Sequence, residues 1–113
     1  MARRITTADQ LEARVAAGTV VLKCMSTQCV RCPAVSNLLT MLMQTHKFQI
    51  VDCDVHAIEE DLYEVLQVTQ LPTLIIYRAG VQVARADGIF LAADIKSLIN
   101  DHCEVQLVAD EDF

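Results

Sequence analysis

The stretch Gln28–Pro33, QCVRCP, contains two cysteines with two residues between them and a proline directly behind the second cysteine. Such a pair can bind a metal ion, close a structural disulfide or carry out redox chemistry. The apolar, β-branched run Thr19–Met25 before it predicts a buried strand, and apolar residues at helical spacing from Val30 to about His46 predict a helix after it. The cysteine pair is therefore expected where a strand ends and a helix begins.

This corner favours redox chemistry, because a helix N-terminus has unpaired N–H groups and a partial positive charge that stabilise a thiolate. We expect Cys29 to be the more exposed cysteine and the better placed nucleophile. Cys32, one turn into the helix, is then close enough to resolve a mixed disulfide formed at Cys29. Pro33 fits the first helical turns, where its missing N–H costs little.

The rest of the chain predicts alternating helices and strands. A capping-box spacing at Thr7–Gln10 and a closing glycine, Gly18, bound a first helix. Apolar patterning predicts the further elements, which are strands at Phe48–Asp54, Thr73–Arg78 and Val81–Ala86, a hairpin turn at Ala79-Gly80, and helices around Ile58–Leu66 and Leu91–Ile99. The order α-β-α-β-α-β-β-α predicts an α/β fold, in which a central mixed sheet of four to five strands has helices on both faces.

Composition narrows the classes of protein. With 113 residues, 53% of them hydrophobic, the chain is expected to form a single domain over residues 1–113. A net charge of −6 makes nucleic acid a poor partner, and no apolar run is long enough for a membrane span. We expect a monomer.

Cysteine usage and the start of the chain bear on the compartment. The five cysteines are odd in number and irregularly spaced, and the start MARRITTADQ lacks the apolar region of a secretory signal. Both features favour a reducing, intracellular environment. We expect the cytoplasm, with the mitochondrion as the alternative because two arginines precede the first acidic residue, Asp9.

Taken together, these segments resemble the thioredoxin family. The matching parts are the strand TVVLKCM at 19–25, CVRC at 29–32, VDCD at 51–54, LPT at 71–73 and the glycines at 80 and 88. The resemblance covers nearly the whole chain and implies the thioredoxin fold and a thiol–disulfide oxidoreductase active in electron transport and cell redox homeostasis. It implies no bound cofactor, client proteins with disulfides as substrates, and a reductase or low-molecular-weight thiol as electron donor.

The resemblance also assigns roles outside the cysteine pair. It implies that Pro72 follows a cis peptide bond and lies against the cysteines, where Leu71 offers its backbone to an extended substrate peptide and Thr73 borders the same surface. From the sequence alone, an ordinary trans proline at a strand entry is the alternative.

Several positions depart from the family pattern, which usually reads W-C-G-P-C. Gln28 replaces the tryptophan, and Val30 and Arg31 replace the glycine and proline. We place all three on the substrate-binding surface. A cation at Arg31 favours the thiolate, so one hypothesis is a couple less reducing than that of a usual thioredoxin. The alternative is an Arg31 that points into solvent and changes little.

A deeper departure is Lys23, which stands where thioredoxins usually carry a buried aspartate. A lone buried ammonium is costly, and Asp52 on the next core strand is the expected partner. We treat Lys23 as a catalytic candidate that either stabilises the Cys32 thiolate or, if neutral, accepts its proton. The alternative is a strand lysine that extends to solvent without a catalytic role.

The remaining cysteines are assigned to packing. Cys24 and Cys53 lie in core strands and are expected to behave as small hydrophobes, and Cys103 is expected to be partly exposed near the end of the last helix. No metal site is expected, since zinc needs four ligands and the chain has a single C-x-x-C. The alternative to an enzyme is a thioredoxin-fold binding module with weak or vestigial redox activity.

Overall fold

A computed structural model describes residues 4–106 of the chain. The elements of this part are, in order, α1 (Ala8–Val15), β1 (Thr19–Met25), α2 (Cys32–Leu42), β2 (His46–Lys47), β3 (Gln49–Asp54), α3 (Glu60–Leu66), β4 (Thr73–Arg78), β5 (Val81–Ala86), α4 (Ala92–His102) and β6 (Glu104–Val105). The predicted α-β-α-β-α-β-β-α order is confirmed, with two short strands added. That residues 1–113 form one domain stays a prediction.

The central sheet has four strands in the order β3-β1-β4-β5. Strand β1 runs parallel to β3, so that Lys23 lies beside Asp52 and Cys24 beside Cys53, and it runs antiparallel to β4. A hairpin joins β4 to β5 through Ala79, which has a φ of 51° as required for a type I′ turn. The predicted mixed sheet is therefore confirmed.

Helices cover both faces of this sheet, as predicted. On one face, α1 and α3 pack on β1, β3 and β4, and on the other face α2 and α4 do so. Because side chains alternate along a strand, Leu22 and Cys24 of β1 face α1 and α3, whereas Val21 joins the core beneath α2 and α4. Lys23 shares the parity of Val21, and this explains why its ammonium reaches a residue of α2.

The helix that follows the cysteine pair is shorter than predicted. We expected it from Val30 to about His46, but α2 begins at Cys32 and ends at Leu42. The apolar pattern continues past Leu42, but the helix does not. The Thr45 N–H donates to the Leu42 carbonyl, which closes a turn tighter than that of an α-helix. The chain then forms β2, which pairs with β6 in a separate two-stranded sheet.

Candidate active site

The β1–α2 corner holds the two cysteines of the C-x-x-C pair. They form a disulfide with their Cα atoms 5.4 Å apart. The Cys29 N–H donates to the Ser26 carbonyl at 3.2 Å, which shapes the loop between strand and helix. Cys29 is half-buried and Cys32 is only 4% exposed, so the expected order of exposure is confirmed.

One part of that expectation is wrong. Cys32 does not lie one turn into the helix; it is the first residue of α2, and Pro33 is the second. The first turn of α2 carries no acidic residue. The positive end of the helix is therefore free to act on Cys32 as well as on Cys29.

A second loop lies at the start of β4, whose first residue, Thr73, pairs with Cys24 near the end of β1. The Leu71–Pro72 peptide bond is cis, as the resemblance implied, and Pro72 is buried while Leu71 is half-buried. Thr73 is fully buried, and its hydroxyl donates to the Gln70 carbonyl at 2.6 Å. The Ile89 N–H donates to the Pro72 carbonyl at 3.0 Å, so the β5–α4 loop is fastened to the cis-proline loop.

Gly88 precedes this fastening in a backbone conformation that favours glycine. Its φ is +65°, a value that side chains disfavour, and a Cβ at this position would meet the side-chain oxygen of Gln70. Another residue at this position would be strained by its φ and would have to displace the exposed Gln70 side chain.

The three positions that depart from the family pattern lie on the surface beside Cys29. Gln28 is exposed and Val30 is 92% exposed. Arg31 does not simply point into solvent, because its guanidinium carbon lies 3.8 Å from the centre of the Phe90 ring. The sequence analysis missed Phe90; the available signal was an aromatic residue two positions after Gly88 in a chain where aromatics are only 4% of residues.

A cleft of about 210 Å³ opens on the other side of the pair. Both cysteines line it, together with polar groups from β3, α2 and the β1–α2 loop. The lining residues are Arg4, Met25, Ser26, Thr27, Cys29, Cys32, Pro33, Ser36, Asp52 and Asp54. Carboxyl and hydroxyl side chains therefore share one cleft with both cysteine residues.

Lys23 and Asp52 form the expected ion pair, in which Asp52 also lines this cleft. Lys23 Nζ lies 3.1 Å from Asp52 Oδ1 and donates a hydrogen bond to Ser36 Oγ at 2.9 Å. The Lys23 side chain is only 10% exposed, so it does not extend to solvent. Asp52 Oδ1 is enclosed and has no partner with hydrogen-bond geometry among the described residues. It is held by the charge of Lys23.

The other three cysteines are free and buried. Hydrogen bonding with Cys53, followed by burial, raises the pKa of the Cys24 thiol far above its ordinary value. The expected partial exposure of Cys103 is wrong: it is 4% exposed, and burial raises its pKa to about 11. Its assignment to packing is confirmed, because it lies with Ile99 of α4 in the core beneath α2 and α4.

Within residues 4–106, no group of three or more His, Cys, Asp or Glu side chains is arranged to hold a metal ion. Among the helices described, none is long and apolar enough to cross a membrane.

The fold and site define a protein with a thioredoxin-type sheet and a cysteine pair at its strand-to-helix corner. The family model described as thioredoxin matches residues 3–101. The chain belongs to the thioredoxin family, and the close cysteine pair indicates oxidoreductase chemistry of the thiol–disulfide type.

Solved structures of thioredoxins share this fold. Mitochondrial thioredoxin 3 of Saccharomyces cerevisiae is 22% identical, with 87% of this chain and 92% of that chain covered at a TM-score of 0.75. Thioredoxin of Malassezia sympodialis is 19% identical, with 90% of each chain covered and a TM-score of 0.74. A mutant thioredoxin of Halobacterium salinarum is 20% identical, with 94% and 92% covered and a TM-score of 0.75. No curated protein matches the sequence.

Proposed function

We propose that the protein is a thiol–disulfide oxidoreductase that reduces disulfides of client proteins. The observation that carries this proposal is the unequal pair itself: a half-buried Cys29 and a buried Cys32 joined in a disulfide at a helix N-terminus. An accessible thiolate beside a shielded second thiol is the arrangement that attack followed by resolution requires.

The exchange takes two steps. The Cys29 thiolate attacks one sulfur of the client disulfide, forms a mixed disulfide and releases the first client thiolate. The Cys32 thiolate then attacks Cys29 Sγ, closes the Cys29–Cys32 disulfide and releases the second client thiolate, so two electrons pass to the client. A reductase or low-molecular-weight thiol returns the pair to the dithiol, and the exchange itself uses no bound cofactor.

The surface beside Cys29 is assigned to the client. Leu71 and Thr73 flank the cis Pro72, and we propose that a client segment lies extended along this loop. Gln28, Val30 and Arg31 border the same surface. Exposure of Gln28, Val30 and Arg31 and the closeness of the cis-proline loop to the β5–α4 loop support this assignment.

Beneath the pair we assign separate roles to Lys23 and Asp52. The Lys23 ammonium favours the Cys32 thiolate through its charge and holds Asp52 in place. Asp52, with its enclosed oxygen on the shared cleft, accepts the proton that leaves Cys32. Ser36 fixes the ammonium from the α2 side at 2.9 Å.

The charge of Arg31 supports a further part of the proposal, a couple less reducing than that of a usual thioredoxin. A cation between the cysteines stabilises the thiolate form and so the reduced state. Equilibration of the protein against glutathione buffers measures the potential. A value at or below that of a usual thioredoxin contradicts this part and leaves the exchange mechanism intact.

Reduction of insulin by dithiothreitol tests the function. The wild type should accelerate insulin precipitation, and Cys29→Ser should abolish the acceleration. Cys103→Ala is the matched control, because it removes a buried thiol that is not part of the C-x-x-C pair. A wild type no faster than Cys29→Ser contradicts the proposal and favours the binding module, which the 92% exposed Val30 would suit.

Trapping identifies the clients. Cys32→Ser should stop the reaction at the mixed disulfide on Cys29, so that clients remain attached and are released by reductant. The Cys29→Ser, Cys32→Ser double variant should capture none of them.

We place the protein in a reducing compartment, the cytoplasm, as a monomer. Fractionation of cells measures the compartment, and size-exclusion chromatography measures the oligomeric state.

A further inference from the structure

Three segments that are distant in sequence meet beside Cys29. We call them the client rim, which comprises residues 28–31, 71–73 and 88–91. The Ile89 to Pro72 hydrogen bond joins two of these segments, and the contact of Arg31 with Phe90 joins the first segment to the third. One backbone hydrogen bond and one side-chain contact therefore hold the three segments of the client rim together.

The Arg31–Phe90 contact fixes the direction of a cation at the surface. The guanidinium lies over the ring with 3.8 Å between its central carbon and the ring centre, and Phe90 is 41% exposed. A guanidinium with one face on an aromatic ring keeps its N–H groups free along its edge, and this edge matches the two oxygens of a carboxylate.

The charges around the client rim favour an acidic partner. None of the residues in 28–31, 71–73 and 88–91 is acidic, so Arg31 is the charged side chain of the rim in a chain whose net charge is −6. Two acidic residues border it in sequence. Asp87 is paired with Arg85 at 2.8 Å, and Asp94 lies in the first turn of α4.

The neighbours of Arg31 on the client rim are apolar and exposed. Val30 is 92% exposed and Leu91 is 55% exposed. A directed cation between uncovered apolar side chains is complementary to a segment that carries one carboxylate beside apolar residues.

We propose that Arg31 and Phe90 form a specificity pair that selects client disulfides flanked by an acidic residue. Arg31 binds the client carboxylate, and Phe90 is the positioning residue that holds the guanidinium in place. Val30 and Leu91 contact apolar residues of the same segment. This inference rests on the proposed function, because the selection takes place as Cys29 attacks the client.

Three short peptides test it, each with one cysteine joined by a disulfide to thionitrobenzoate, whose release is coloured. They differ at one position two residues from the cysteine, which is Glu, Gln or Lys. The rate constant of attack by the reduced protein is measured for each peptide, at low and at high salt. We expect the Glu peptide to react about three- to fivefold faster than the Gln peptide, and this ratio to fall with salt, as for a partly exposed ion pair.

Variants separate the selection from the redox chemistry. Arg31→Gln should bring the Glu to Gln ratio to about one, and Phe90→Leu should lower it while keeping an apolar contact. Phe90→Tyr should restore the wild-type ratio, because it restores the ring. Val81→Ala, which shortens an exposed valine of β5 outside the client rim, is the control and should leave the ratio unchanged. Any effect of Arg31 on the thiolate pKa acts on all three peptides alike and cancels in the ratio.

The outcomes are distinguishable. Equal rates for the Glu and Gln peptides in the wild type, or a ratio unchanged in Arg31→Gln, overturn the inference and leave the proposed function standing. A ratio unchanged in Phe90→Leu overturns the role of Phe90. A reduced wild type that releases thionitrobenzoate no faster than Cys29→Ser from any peptide overturns the proposed function and this inference with it.

Discussion

Two pairs of cysteines lie close together in this molecule, and each pair has one member in β1 or in the loop that follows it. Cys24 sits inside β1 beside Cys53 of β3, with both residues 0% exposed. Cys29 and Cys32 follow the end of the same strand and form a disulfide. The two thiols are thus close together in both pairs. The pair assigned to the exchange differs from the buried pair in its position, because it follows the end of a strand.

The physical cause is the environment of the thiolate. In the sheet, the hydrogen bond with Cys53, followed by burial, raises the pKa of Cys24, so its thiol stays protonated at neutral pH. The same hydrogen bond lowers the pKa of Cys53, and this thiol is kept from reagents by its complete burial. Past the end of β1, the chain exposes Cys29 and places Cys32 as the first residue of α2, where unpaired N–H groups stabilise a thiolate. The same side chain is a packing residue in one place and, in the proposed function, a nucleophile in the other.

The largest predicted difference between the pairs is in their reactivity toward iodoacetamide. In the reduced, folded protein we expect Cys29 to be alkylated more than about a thousandfold faster than Cys24 or Cys53, since the buried thiols react only when the structure opens. Mass spectrometry of peptides after timed alkylation measures each site. In urea, where burial is lost, the rates should converge, and a difference that persists there would contradict the explanation.

The next prediction concerns the Lys23–Asp52 ion pair, which lies one residue before the buried cysteine pair on β1 and β3. Lys23→Met keeps the length of the side chain but removes the charge that holds Asp52. We expect client reduction to fall by about a hundredfold and the unfolding free energy to fall by about 2 kcal/mol, because a carboxylate is left without its cation. Insulin reduction and urea unfolding measure the two effects.

A double variant separates catalysis from stability at this pair. Lys23→Met combined with Asp52→Leu removes both charges, so the unfolding free energy should recover while the activity should not. The pH dependence of thiolate absorbance reports whether Cys32 has lost its proton acceptor. Wild-type activity in Lys23→Met would show that the pair is structural only.

Replacing a member of the buried Cys24–Cys53 pair should lower stability without lowering activity. Cys24→Ala removes a fully buried sulfur, so we expect the unfolding free energy to fall by about 2 kcal/mol. Insulin reduction, measured well below the unfolding midpoint, should be unchanged. A loss of activity without a loss of stability would assign Cys24 to the exchange chemistry and remove the distinction between the pairs.

The sequence predicted this contrast only in part. Strands β1, β4 and β5 were predicted to the residue, because their β-branched runs end sharply at loops or turns. The bounds of α2 were wrong, since its ends are set by turns that the apolar pattern does not register. Strand β2 was missed because two residues are too short to show a period.

The residues of the candidate site also divide into those that the sequence predicted and those that it could not. The cysteine pair, Pro72 and the Lys23–Asp52 pair follow from local sequence and from resemblance, since each is tied to one element or to two neighbouring strands. Phe90 and Ser36 could not be predicted, because their roles depend on contacts with Arg31 and Lys23 that only the packed fold creates.

Cys103 belongs to neither pair. Its replacement has the smallest expected effect, and it tests specifically whether burial keeps a thiol protonated. Its pKa of about 11 in the folded protein lies above the ordinary 9.0, because burial disfavours the thiolate more than the nearby Arg78 favours it. The unfolded state therefore loses this proton first as the pH rises. The stabilisation is fully present below pH 9.0 and is lost as the pH approaches about 11.

Between about pH 8 and about pH 10, this thiol should lower the unfolding free energy of the wild type by about 1 kcal/mol. Cys103→Ala should lack that part of the decline, while all other groups titrate alike in both proteins. Urea unfolding under a reductant measures the difference at each pH. Parallel declines in the two proteins would mean that the thiolate of Cys103 is tolerated in the core. Burial would then not be what keeps Cys24 and Cys53 inert, and position at the end of β1 alone would distinguish Cys29.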